Sequence, residues 1–107
     1  MSEEELAQLL NEIKAGLTAL YGGRLVGVYL FGSYARNEQD AESDVDILIV
    51  LSDYQQYGAE LDRTSELSSR LSLKYGVSLS TVFQRQQEWL EADTPLLRNI
   101  RAEAQQV

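Results

Sequence analysis

Leu6, Leu9, Leu10, Ile13, Leu17 and Leu20 recur every three or four residues near the start of the chain, the spacing of one helical face. That periodicity predicts an amphipathic helix over residues 3–20. Ser2 with Glu5 three residues later has the form of a capping box, and Glu3-Glu4-Glu5 places acidic side chains in the first turn, where the helix dipole favours them. Tyr21-Gly22-Gly23 supplies the stop, glycine being free to take the left-handed C-cap conformation. The pattern then changes. Residues 25–31, LVGVYLF, form a short run rich in strand formers. Residues 45–51, VDILIVL, are almost continuously apolar, as in a central strand covered on both faces. A thinner helical stripe of Leu61, Leu67, Leu71 and Tyr75 predicts a helix over 58–75, with Gly76 as its stop. Residues 77–83 alternate as a third strand, and RQQEWLEA forms a short helix. Thr94-Pro95 reads as an N-cap and first helical position, opening a last helix to about residue 103. The order α-β-β-α-β-α predicts an α+β domain spanning residues 1–107, a three- to four-stranded sheet with helices packed on it.

Composition narrows the chemistry. With 44% hydrophobic and 24% charged residues, the chain has the make-up of a soluble globular protein. Its longest apolar runs are far too short to span a bilayer, and the acidic MSEEELAQLL start lacks the pattern of a signal peptide. A cytoplasmic protein is expected. There is no cysteine and no histidine, which excludes disulfides, thiolate metal sites and imidazole-based catalysis. A metal here must be held by oxygen, which suits Mg²⁺, Mn²⁺ or Ca²⁺. The net charge of −8, without a cluster of basic residues, disfavours direct nucleic-acid binding.

One stretch stands apart from this ordinary pattern. In YLFGSYARNEQDAESDVDILIV, residues 29–50, an apolar run stops at Gly32-Ser33 and the next opens with Asp44 and Asp46. Strand alternation points both aspartates to one face, and two carboxylates held that close repel unless positive charge lies between them. A divalent cation provides it. Gly32-Ser33, followed by Tyr34-Ala35-Arg36, is suited to a turn with free backbone N–H groups, which favour phosphate. An EF-hand is excluded, because its further ligands, central glycine and terminal glutamate are absent. A phosphate cradle beside a carboxylate pair points to a nucleoside triphosphate with Mg²⁺.

Gly32-Ser33, ten residues, then Asp44-Val45-Asp46 resemble the G-S-x10-D-x-D signature of the DNA polymerase β-type nucleotidyltransferase superfamily. The flanks VYLFGSYAR and SDVDILIVL look like that motif in the minimal nucleotidyltransferases (MNT), and the likeness extends over most of the chain. The resemblance implies a polymerase β-like fold with a mixed sheet. It also implies that Asp44 and Asp46 bind one or two Mg²⁺ ions and carry catalysis, while Gly32, Ser33 and Arg36 hold the phosphates of ATP. An acceptor hydroxyl would attack the α-phosphate, with pyrophosphate leaving. Small stand-alone members resemble antitoxins paired with HEPN-domain ribonuclease toxins, some of which adenylylate a tyrosine of the toxin. A helical HEPN-type partner is therefore expected.

The superfamily's third carboxylate, on the next strand, falls here at Ser80, which is neither a base nor a strong Mg²⁺ ligand. A competing reading follows: a catalytically weakened module that neutralises its partner by binding alone. The remaining aromatic residues have plainer expectations. Tyr29 and Phe31 continue a buried strand, Trp89 packs the last helices onto the sheet, and Tyr54 and Tyr57 lie exposed in a loop. Arg98 and Arg101 are expected on the exposed face of the last helix.

Overall fold

The computed structural model describes residues 1–107. Helix α1 spans Glu3–Tyr21, and the Ser2–Glu5 capping box is formed in both directions, at 3.1 Å each way. A turn of 3-10 helix leads into β1, Leu25–Phe31, and β2 follows as Val45–Leu51. Helix α2, Tyr57–Tyr75, ends at Gly76 in the left-handed conformation, φ 64°. Then come β3, Leu79–Arg85, the short α3, Gln86–Glu91, and α4, Pro95–Glu103, whose N-cap Thr94 accepts from Leu97 N–H. A two-residue strand, β4, Gln105–Gln106, closes the order.

The mixed sheet runs β3-β2-β1-β4. β1 lies antiparallel to β2 and to β4, whereas β2 and β3 are parallel, with α2 as their crossover. β2 is thus central, as its continuous apolar run predicted. Alternation divides its side chains between two faces. Val45, Ile47, Ile49 and Leu51 join Leu9, Ile13 and Leu17 of α1 and Leu67 and Leu71 of α2 in a core of 14 buried residues. Leu48 and Val50 face the other way, and with Ile100 of α4 they form a second cluster of only three.

Four expectations are corrected. β3 begins two residues later than predicted, because Val77 and Ser78 complete the turn out of Gly76: Val77 N–H bonds to Ser72 and Ser78 C=O accepts from Val45. The buried stripe of α2 runs through Glu60, Thr64, Leu67 and Leu71, not through Leu61, which is 40% exposed. Glu60 tolerates burial because Tyr21 Oη donates to it at 2.7 Å and Arg63 lies 3.5 Å away. Tyr54 is buried rather than exposed, with Arg85 stacked 4.2 Å from its ring centroid. Trp89 packs on Tyr29 at 5.2 Å, as its apolar surface suggested, whereas Arg101, expected on the exposed face of the last helix, instead folds over the same indole and donates to its backbone carbonyl.

Candidate active site

The end of β1 and the start of β2 meet at one edge of the sheet. Phe31 is paired with Asp46, so the turn that follows β1 lies directly over the aspartate. Residues 33–37 form a single helical turn rather than a regular helix, tied by Ala35 and Arg36 N–H to Gly32 C=O and by Glu38 N–H to Ser33 C=O. Asn37 ends it at φ 58°. Gly32 is required twice over. It sits at φ 76°, and a Cβ there would come within 2.0 Å of Asp46 Oδ2. Only a bare backbone can approach the carboxylate this closely. The N–H groups of Ser33 and Tyr34 have no acceptor within the chain and remain free for an external anion.

Asp44 is exposed, one residue ahead of β2, and Asp46 is half-buried inside it. Burial pushes the Asp46 carboxyl above its ordinary range, and the charges of Asp44 and Glu103 push it the same way. Negative charge is thus gathered here without full compensation, an environment that a cation relieves. The donor set fits Mg²⁺ in kind, being oxygen only. It is incomplete in number, since no three acidic side chains converge. A bound Mg²⁺ would take its other ligands from water and phosphate oxygens, as this ion commonly does.

Ser80 pairs with Asp46 across the parallel β2–β3 register and lies on the same face. The position read from the sequence as that of the third carboxylate is therefore beside the aspartate, occupied by a hydroxyl. Arg36 also reaches the site, but its guanidinium is bound to Glu38 at 3.1 Å and to Glu103 at 2.6 Å. Glu103 was missed by sequence reasoning. It stands at the end of α4, and its other oxygen accepts the Gly32 N–H at 3.0 Å. The Arg36 contact, followed by that from Gly32, holds its carboxyl below the usual range. No sequence signal marks it, because the contact joins residues 71 apart.

The largest cavity, about 420 Å³, is at the opposite end of the sheet, bordered by Arg24, Asp53, Tyr54 and Arg63. Size alone would select it, but it contains neither the Gly32 turn nor Asp44 and Asp46. A space of about 330 Å³, lined by Ser43, Asp44, Gly76 and Ser78, borders Asp44.

Residues 5–104 match the family described as polymerase beta, nucleotidyltransferase. The chain belongs to that family. Among the relatives of this nucleotidyltransferase are several Methanocaldococcus jannaschii proteins named as protein adenylyltransferases. One is 35% identical over 81 residues, covering 76% of this chain and 81% of its own. Another is 36% identical over 87 residues, covering 81% and 78%. Among solved structures, a chain from a toxin–antitoxin crystal structure with AMP-PNP superposes with a TM-score of 0.61 at 23% identity, covering 99% of this chain and 72% of that one. A complex of tri-AMPylated Shewanella oneidensis HEPN toxin with MNT antitoxin gives 0.53 at 24% identity, covering 92% and 70%. These neighbours establish the polymerase β-like nucleotidyltransferase fold. No helix of this chain is long and apolar enough to cross a membrane.

Proposed function

We propose that this nucleotidyltransferase moves AMP from ATP, with Mg²⁺, onto a tyrosine hydroxyl of a HEPN-type toxin partner and so acts as an antitoxin. The observation that carries the nucleotide part is the contact of Gly32 with Asp46, which sets free N–H donors beside paired carboxylates. The names of the relatives support adenylyl as the group transferred, and the toxin–antitoxin neighbours support the class of partner. In this reading the Ser33 and Tyr34 amides, the Gly32 turn and Arg36 hold the phosphates, and Asp44 and Asp46 hold Mg²⁺. When bound, the metal supplies positive charge that stabilises the phosphoryl oxygens during displacement. The acceptor oxygen forms a bond to the α-phosphorus, the bond to the β-phosphate oxygen breaks, pyrophosphate leaves, and the hydroxyl proton passes to solvent.

Ser80 favours tyrosine as the acceptor. A phenol, with a pKa of about 10, ionises without the strong base that an aliphatic hydroxyl needs, so a site lacking the third carboxylate can still use it. Ser80 equally motivates a second reading, neutralisation by binding alone. Intact-mass spectrometry of a HEPN toxin incubated with this protein, ATP and Mg²⁺ separates the two. Gain of AMP units, lost with Asp44→Asn, is the expected result. An unchanged mass in a stable, neutralised complex would leave the binder reading in its place.

A further inference from the structure

Glu103 holds donors that the nucleotide reading gives to phosphate. One carboxylate oxygen accepts the Gly32 N–H at 3.0 Å, and the other accepts the Arg36 guanidinium at 2.6 Å. A backbone amide with an arginine fork is an anion receptor, and a carboxylate and a phosphate satisfy it in the same way. Both oxygens of Glu103 face these donors rather than joining Asp44 and Asp46 around a common centre, where no three acids converge. Its place is therefore that of an anionic guest, not of a third metal ligand.

The backbone beneath Glu103 is fixed on both sides. Ile100, one turn earlier, is buried in the smaller core cluster. One residue later, Ala104 N–H bonds to Ile100 C=O, and Gln105 and Gln106 pair with Leu30 and Tyr29 of β1. Gln105 Nε2 also donates to Ala35 C=O at 2.8 Å, fastening the strand to the turn itself. The side chain has more freedom than its backbone, since it is 20% exposed and its partner Arg36 is 44% exposed. It can turn away without unpacking α4.

We propose that Glu103 is a built-in phosphate surrogate which nucleotide must displace, so that this side chain sets the affinity of the site. The inference rests on the nucleotide reading above. With Glu103 in place, the turn is held in its binding shape in the absence of ligand. An arriving triphosphate meets a resident negative charge beside Asp46 and takes over the Gly32 amide and Arg36 as that charge swings out. The donors are thus kept ordered at a cost in affinity.

The test is calorimetric titration of wild type and Glu103→Gln with ATP and Mg²⁺, and separately with inorganic tripolyphosphate in EDTA. Tripolyphosphate reads the phosphate seat without base, ribose or metal. The expected result is about two- to fivefold tighter binding of both ligands by Glu103→Gln, the range for releasing one partly exposed charged contact. Glu103→Asp, which keeps the charge and shortens its reach, should fall between the two and serves if the glutamine variant folds poorly. Binding by wild type that is unchanged or weaker in the variants would overturn the inference and make Glu103 a support for the loop instead. If neither wild type nor variants bind ATP, the nucleotide reading falls, and this inference with it.

Discussion

The two faces of the sheet are built for different purposes. On one, α1 and α2 cover a core of 14 buried residues, with Leu9, Leu17, Leu71 and Phe83 fully enclosed. On the other, α3 and α4 cover a cluster of three, with Tyr29, Phe31, Val82 and Trp89 only partly sealed around it. Asp46 and Ser80 lie on this thinner face, at its open edge, next to the Gly32 turn. The division has a physical basis. Under the proposed function Asp44 and Asp46 hold a cation, and packing them under two long helices would remove their access to solvent and ligand. The thick face carries the stability that the functional face gives up.

Truncations should expose this asymmetry most strongly. Leu17→Ala, at a fully buried position between α1 and the sheet, is expected to cost about 3–5 kcal/mol by cavity formation. Ile100→Ala, nearly as buried, should cost about 2 kcal/mol, because the thin α3–α4 layer can settle into the space. Denaturant melts of the two variants provide the measurement. Equal losses would erase the proposed difference between the faces.

Gly32→Ala should come next, at about 1–2 kcal/mol, from placing alanine at positive φ and crowding Asp46. Its effect on nucleotide should be disproportionate, because Asp46 or the turn must move to admit the methyl group. Binding of ATP with Mg²⁺ should fall at least tenfold in the fully folded variant. Retained affinity would detach the turn from the phosphate seat.

The smallest effect has the opposite sign. Burial, aided by the charge of Asp44, holds the Asp46 carboxyl above its ordinary value. The native state therefore binds that proton more tightly than the unfolded chain, and stability from this group falls as pH rises past the ordinary aspartate value of about 3.9. Its cost is fully present at neutral pH. Asp46→Asn should raise the melting temperature at pH 7 by about 1–3 °C, with the gain fading below about pH 4. Mg²⁺ with ATP should stabilise the wild type more than the variant. A variant less stable than wild type at pH 7 would show that the aspartate supports the fold.

Much of this arrangement was legible in the sequence because it is local. α1, β1 and β2 follow from unbroken periodicity, and Gly32-Ser33 with Asp44 and Asp46 flank two consecutive strands that pair directly. The parallel register places Ser80 beside Asp46. What escaped depends on distant parts of the chain. Two glutamines carry no strand signal, so β4 becomes a strand only because β1 offers it an open edge. Glu103 is brought to Gly32 by that same closure. Tyr54 was read as exposed because its covering groups, Phe83 and Arg85, come from β3. Burial by a parallel neighbour leaves no trace in the local pattern.

Under the proposed function, nucleotide binds at the end of the sheet bearing Gly32 and Asp46, not at the one with the larger cavity. Amide chemical-shift mapping of the ¹⁵N-labelled protein titrated with ATP and Mg²⁺ tests it most directly. The main shifts are expected at Gly32, Ser33, Tyr34 and Asp44 through Asp46. Shifts centred on Arg24, Gln56 and Arg63, at the opposite end, would contradict it.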